Sequence, residues 1–168
     1  MKRIFLVFAL VILMAGNAFA TARSASFSSK VVQTQYNEFV EITAVLLFDS
    51  TNGNFEALAL YMNDADQTNA RVANLAGFFL HSVSVYFGGT APTINSDITL
   101  LEHTSTGKDI LVGAGTDMLD AATNNYFTTL VGTLPHPVPV FGPLYLVVTN
   151  NGVNSATSTI VFKFIRRN

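Results

Sequence analysis

Ten consecutive residues, from Phe78 to Phe87, constrain the fold of this 168-residue chain more than any other stretch. The run is rich in aromatic and β-branched residues, and Gly88-Gly89 ends it abruptly. Taking every second residue places five mainly apolar side chains on one face: Phe79, His81, Val83, Val85 and Phe87. The opposite face is wetter, with serines in its middle. Alternation with a period of two predicts a β-strand half-buried in a sheet.

Shorter alternating runs recur along the chain, and turns of Gly, Asn and Pro separate them. They cover residues 38–48, 55–62, 97–103, 109–112, 126–131, 144–149 and 158–164, with an early strand beginning near Phe27. Propensity alone would also allow a short helix over 55–62, but the preceding Asn52-Gly53 pair favours a hairpin. About eight or nine such strands predict an all-β chain, folded as a single β-sandwich of jelly-roll or Greek-key type.

Two segments have a less regular pattern. Thr116-Asp117 could cap one helical turn through Met118-Leu119, so residues 113–125 stay ambiguous between helix and loop. Prolines alternate at Pro135, Pro137 and Pro139, and proline has no N–H to donate to a neighbouring strand. This segment is therefore expected to be an extended connection or the edge of a sheet.

The N-terminus has the pattern of a secretory signal peptide. Lys2 and Arg3 precede twelve apolar residues, 4–15, and Ala18-Phe19-Ala20 provides small residues for cleavage after Ala20. Retention as a membrane anchor is the alternative, but a spanning helix needs about 20 apolar residues. The prediction is a signal peptide over 1–20 and one β-sandwich domain over 24–168. The product would be secreted, periplasmic or extracellular, virion surfaces included, and without a membrane association after cleavage.

Charge excludes one class of partner. Only 12% of the residues are charged and the formal net charge is −2, so the chain lacks the basic surface that nucleic-acid binding requires. The chain also has no cysteine, and an exported fold must then be held together by its core without disulfides.

Several turns and strands resemble those of a loose group of small β-sandwich proteins from phage and environmental bacterial sequences, many of which have signal peptides. The likeness rests on short motifs: Ala91-Pro92-Thr93, Ser96-Asp97-Ile98-Thr99-Leu100, Ser105-Thr106-Gly107, Asp109-Ile110-Leu111, Gly142 and the strand 144–150. Pro143 and Lys108 depart from that pattern, in which an acidic and an aromatic residue are usual. The resemblance implies a β-sandwich without an assigned activity, in some members a virion-surface component.

Two residues of the central strand are candidates for ligand binding. His81 could act as a ligand or general base, or be a core or edge histidine that hydrogen-bonds to the backbone. Tyr86 lies on the wetter face and could stack on a sugar ring, or pack against a neighbouring strand.

A metal site is a further candidate. Oxygen-bearing residues alternate around Asp64 and Asp66, as in a Ca²⁺ loop. Asn69 and Leu75 stand where an EF-hand needs Gly and Glu, which favours an ordinary polar loop, so no cofactor is expected unless Ca²⁺ binds there.

No Ser, Cys or carboxylate constellation typical of catalysis is recognisable, so the chain is expected not to be an enzyme. The expected function is that of a structural or surface-interaction protein, in a virion accessory or an extracellular assembly. It would bind protein partners, or assemble with itself, through the edges of its sheets. A glycan-binding module is the first alternative. A small secreted hydrolase is the second, and it would require His81 or His103 beside a carboxylate in a cleft.

Overall fold

The computed structural model describes residues 23–48, 53–63, 70–93, 95–119, 125–128, 130–131, 134–135, 137–153 and 155–167. Within these ranges every regular element is a β-strand and none is a helix, which confirms the predicted all-β class. In the same ranges, no helix is long and apolar enough to cross a membrane.

The strands are numbered in chain order: β1 (Ser24–Gln33), β2 (Asn37–Leu47), β3 (Phe55–Ala59), β4 (Tyr61–Asn63), β5 (Ala70–Val72), β6 (Phe79–Phe87), β7 (Asp97–Glu102), β8 (Lys108–Asp109), β9 (Asn125–Thr128), β10 (Leu130–Val131), β11 (Leu134–Pro135), β12 (Val138–Pro139), β13 (Leu144–Thr149) and β14 (Thr157–Arg167). Residues 55–62 are thus extended, as predicted, with a break at Leu60 between β3 and β4. The predicted hairpin with the preceding strand is wrong, because β3 pairs with β13, while β2 pairs with β1 and β14 in the other sheet.

The strands form two antiparallel sheets and two short ribbons. The large sheet has the order β1-β2-β14-β6, and β9 and β12 pair with successive stretches of the free side of β6. The small sheet has the order β3-β13-β7-β8, while β4-β5 and β10-β11 are two-stranded ribbons. The proline-containing segment supplies β11 and β12, and β12 lies at an edge of the large sheet.

Both sheets bury one face in a common hydrophobic core. Burial alternates along β2, β7, β13 and β14, as expected for strands with one covered face. The largest fully buried side chains come from both sheets and their connections: Ile42, Leu46, Phe48, Leu60, Leu75, Leu80, Leu100, Leu119, Leu144, Leu146, Phe162 and Phe164. Phe48, just after β2, meets Phe55 of the small sheet edge-on, with ring centroids 5.1 Å apart.

The strand predicted to be central does lie inside the large sheet, but its predicted faces are wrong in the first half. The pairing of β6 with β14 shifts by one residue, from Lys163 opposite Ser82 to Phe164 opposite Leu80, so His81 has no opposite residue. Such a β-bulge reverses the alternation. Leu80 is therefore fully buried, whereas Phe79 and His81 are exposed.

The region after β7 also differs from the prediction. The strand expected over 109–112 is only Lys108–Asp109, and residues 110–117 form consecutive turns. The helical turn considered around Met118 is absent from the described residues 113–119. In this segment the backbone N–H groups of Leu111 and Gly113 donate to the carboxylate of Asp109 and not to a neighbouring strand.

Candidate functional site

The side of the large sheet that faces away from the core, here called the outer face, carries a row of apolar side chains across the whole sheet. Strand register aligns five residues in this end row: Val32, Phe39, Ile165, Phe79 and Pro139. Cross-strand neighbours on one face of a sheet are in contact distance. Val32, Phe39 and Phe79 are 43%, 41% and 40% exposed. Exposed apolar side chains that adjoin one another, rather than occurring singly, mark interaction surfaces.

A charged row lies two residues further along the strands. Here Lys30 of β1, Glu41 of β2 and Lys163 of β14 are aligned by the same register. The Nζ of Lys163 is 3.6 Å from Oε2 of Glu41, and both side chains stay partly open to solvent. The row therefore alternates in sign across three strands and lies directly beside the end row.

The far part of the outer face presents two exposed tyrosines. Tyr86 of β6 is 45% exposed and lies opposite Thr159 of β14. Tyr126 of β9 is 63% exposed and lies opposite Ser84 of β6, which places it diagonal to Tyr86 on the same face. Tyr86 is thus exposed, whereas Ser82 and Ser84, the serines on which the predicted wetter face rested, are buried. Its neighbour Tyr126 is a second aromatic ring that the sequence reasoning did not connect with it.

His81 lies at the bulge, next to the end row. Together with Phe79, Pro137, Ile165 and Arg167 it lines an open hollow of about 560 Å³. No carboxylate is among these lining residues, so the hollow does not bring His81 to an acid. The prediction that His81 lies on the buried face is wrong, because the bulge turns the side chain outward.

His103 is beside a carboxylate but outside hydrogen-bond reach of it. Nε2 of His103 is 4.0 Å from Oε2 of the buried Glu102. The other carboxylate oxygen of Glu102 accepts a hydrogen bond of 2.5 Å from the N–H of Phe141. The backbone N–H of His103 donates to the Pro143 carbonyl at 2.9 Å. These contacts connect the turn after β7 to the segment before β13, so Glu102 and the His103 backbone have a structural role.

A second hollow, of about 300 Å³, is lined by residues of β2, β4, β5 and β14 and of the segment before β6. Glu38 and Arg166 line it and form an ion pair across β2 and β14. The guanidinium of Arg166 also lies 4.6 Å from the ring centre of Phe78. Because Arg166 is engaged by both partners, its charge is already balanced within the chain.

Three motif residues behind the sequence resemblance, Thr93, Asp97 and Asn150, connect loops. The buried Asn151 accepts hydrogen bonds on Oδ1 from the N–H groups of Thr93 and Val153, both at 3.1 Å. Asp97 accepts from the N–H of Asp117 at 2.7 Å and from the side-chain amide of Asn150 at 2.6 Å. These contacts connect the loops at the ends of β6, β7 and β13, so the motifs are explained by architecture.

The metal prediction falls on residues outside those that the structure describes, since Asp64 and Asp66 belong to the segment 64–69. Among the described residues, no three His, Asp or Glu side chains come together in a way that could hold a metal ion.

The end row could not be found by scanning the sequence, because its members come from five strands, of which only β1 and β2 are consecutive in the chain. Alternation predicts which residues of one strand share a face, but the register between strands decides which of them become neighbours. Comparison of the chain with protein-family models, curated proteins and solved structures gives no match.

Proposed function

We propose that this protein is an exported, non-enzymatic structural or surface-interaction component, of a virion accessory or an extracellular assembly, that acts through its large sheet. Its two sheets would form a β-sandwich of jelly-roll or Greek-key type. The N-terminal 1–20 segment would direct export and be removed, leaving a chain of formal charge −4, from seven Lys and Arg against eleven Asp and Glu.

The observation that carries this proposal is the end row on the outer face. A monomeric β-protein usually keeps apolar side chains on the inner side of its sheets and polar ones outside. Here Val32, Phe39 and Phe79 are each at least 40% exposed and are aligned by register rather than scattered. Burying them against a partner would gain roughly 25 cal/mol for each Å² of apolar surface removed from water.

Fractionation tests the proposal. The full chain is expressed in a bacterial host that exports it, and the exported material is separated by sedimentation into free protein and protein bound to cells or particles. The wild type is expected in the sedimenting fraction, and a Phe39→Ser/Phe79→Ser variant is expected to move to the free fraction. Phe141→Ser serves as the matched control, because Phe141 is 66% exposed but lies outside the large sheet.

A wild-type protein that stays free and cleaves ester or glycoside probes would contradict the proposal and favour the hydrolase. Repeating the sedimentation in EDTA separates an assembly that needs Ca²⁺ from one that does not. Circular dichroism of each variant shows whether the fold is intact before its distribution is interpreted.

Glycan binding is the second candidate, and the diagonal pair of Tyr86 and Tyr126 favours it. Aromatic faces stack on the apolar faces of sugar rings, and two such rings on one surface can hold two units of a chain. Replacing either tyrosine by Ala is expected to abolish binding on a glycan array, whereas Tyr36→Ala, at an exposed turn between β1 and β2, is expected to leave it unchanged. An array without any bound glycan would eliminate this candidate.

A further inference from the structure

We infer that the occupant of the outer face is a second copy of this chain, docked about a twofold axis that runs parallel to the strands between β2 and β14. The inference rests on the proposed function and names its partner. Self-association through a closed twofold requires one surface to be complementary to itself. The outer face meets this requirement in its apolar row and in the central pair of its charged row, Glu41 and Lys163, while Lys30 would face Ser82.

The proposed axis exchanges β2 with β14 and β1 with β6 while keeping each row at the same height. Phe39 of one copy then faces Ile165 of the other, and Val32 faces Phe79. Four of the five residues of each end row therefore face apolar side chains of the other copy, and Pro139 lies beyond the last of these pairs. Sheets that pack face to face keep their strands within about 30° of each other, so this arrangement is an ordinary one.

The charged row distinguishes this axis from the alternative. With the axis parallel to the strands, Glu41 of each copy faces Lys163 of the other, which gives two complementary contacts. An axis perpendicular to the strands and centred on the same row would oppose Glu41 to Glu41 and Lys163 to Lys163. Like charges juxtaposed across an interface oppose association, so the charges select the axis parallel to the strands.

The open area suits a weak dimer. Ser82 and Ser84, on the outer face of β6, are 1% and 5% exposed, so the open face consists of β1, β2 and β14 with Phe79 and Tyr86 of β6. Three strands about 4.8 Å apart and ten residues long give about 490 Å² for each copy, or about 1,000 Å² in total, the size of a weak interface. The exposed side chains of Phe39 and Val45 on β2, and of Phe79 and Tyr86 on β6, would supply apolar contact on the two sides of the axis.

A charge exchange tests the inference on the protein that is purified after export of the full chain. Light scattering and sedimentation equilibrium are measured over a concentration series at low and high salt. The wild type is expected to be a dimer. Glu41→Lys and Lys163→Glu are each expected to raise the dissociation constant about tenfold or more, because like charges then face each other. The double exchange restores opposite charges across the axis and is expected to recover the wild-type value.

Two controls separate the interface from general charge and folding effects. Glu56→Lys makes the same charge change on an exposed position of the small sheet and is expected to leave the dissociation constant unchanged. Phe39→Ser is expected to weaken the dimer about tenfold or more, whereas Phe141→Ser is not. Thermal unfolding of the single variants shows whether the loss of the Glu41–Lys163 contact within one chain has disturbed the fold.

Three outcomes would overturn the inference: a wild type that stays monomeric at about millimolar concentration, a dimer that Glu41→Lys and Phe39→Ser leave intact, or a monomer that binds phosphatidylglycerol vesicles through this face. Each result can be told apart from failure of the proposed function. An exported protein that sediments with particles yet is monomeric when pure contradicts only the twofold dimer. A pure dimer that never joins a surface or an assembly contradicts only the proposed function.

Discussion

At the scale of single residues, the carboxylate of Asp109 determines the path of the chain after β8. Its Oδ1 accepts hydrogen bonds from the N–H groups of Leu111 at 2.9 Å and Leu100 at 3.2 Å, and its Oδ2 accepts from Gly113 at 3.0 Å. Backbone donors that bond to a side chain are no longer available to a neighbouring strand. The segment therefore turns away from the sheet after two paired residues.

Replacing Asp109 by Ala is expected to lower the free energy of unfolding by about 3 kcal/mol, because three N–H groups, two of them on the buried Leu100 and Leu111, lose their acceptor. Asp109→Asn keeps one acceptor oxygen and should have an intermediate effect. Urea unfolding monitored by circular dichroism measures both. Glu56→Ala, at an exposed strand position, is the control, and equal losses for Asp109→Ala and Glu56→Ala would contradict this role.

The hydrogen bonds of Asp109 also explain why the strand predicted over residues 109–112 is too long. The run Asp109-Ile110-Leu111-Val112 has the composition of a strand, and propensity cannot show that an aspartate at its start captures the following N–H groups. Val112 then takes a left-handed φ of 53°, which β-branched residues rarely adopt. The hydrogen bonds of the Asp109 side chain depend on tertiary structure as well as on local sequence, because Leu100 of β7 donates one of them.

At the scale of elements, the bulge at His81 decides which residues of β6 reach the core. After the bulge along β6, Val83 and Val85 lie opposite Phe162 and Ile160 of β14. Before the bulge, Leu80 lies opposite Phe164. Strict alternation would instead bury His81 and expose Leu80. A single extra residue thus keeps the histidine in solvent and brings Phe79 to the outer face.

Deleting His81 is expected to cost little stability, below about 1.5 kcal/mol, because the bulge closes and every other residue of β6 keeps its face. Deleting Ser84 is the matched control. It changes the alternation and moves Val83 out of the core, which should cost at least about 2 kcal/mol. Urea unfolding of the two deletion variants decides the matter. Equal losses for both would show that the register shift does not define the faces of this strand.

Alternation predicts strands well in this protein, and pairing between strands poorly. The predicted runs at 38–48 and 144–149 correspond closely to β2 and β13, where burial alternates without interruption. The end row depends on which strands become neighbours, since β14 inserts between β2 and β6. Nothing local in the sequence specifies that neighbour. The candidate surface therefore became visible only with the sheet order.

At the scale of the whole molecule, two sheets share one core, and the outer face of the large sheet carries exposed apolar side chains. The chain needs no cysteine for this arrangement, because the core is continuous between the sheets. Its charges are few, so the alternating row of Lys30, Glu41 and Lys163 stands out on an otherwise weakly charged surface. Such sparse charges contribute to the choice of partner more than to affinity.

The proposed role depends on export of the chain, which predicts a defined N-terminus. Peptide mapping by mass spectrometry of the exported protein is expected to begin at Thr21, because the residues at positions 18 and 20 are the small alanines that signal peptidases require. Ala20→Arg should block processing and leave the chain attached to the membrane through residues 4–15, whereas Ala22→Val, beyond the cleavage site, should be processed normally. Two results would contradict the signal-peptide prediction: an exported protein that retains Met1, or an Ala20→Arg variant that is released as efficiently as the wild type. Either result would also contradict the extracellular setting of the proposed assembly.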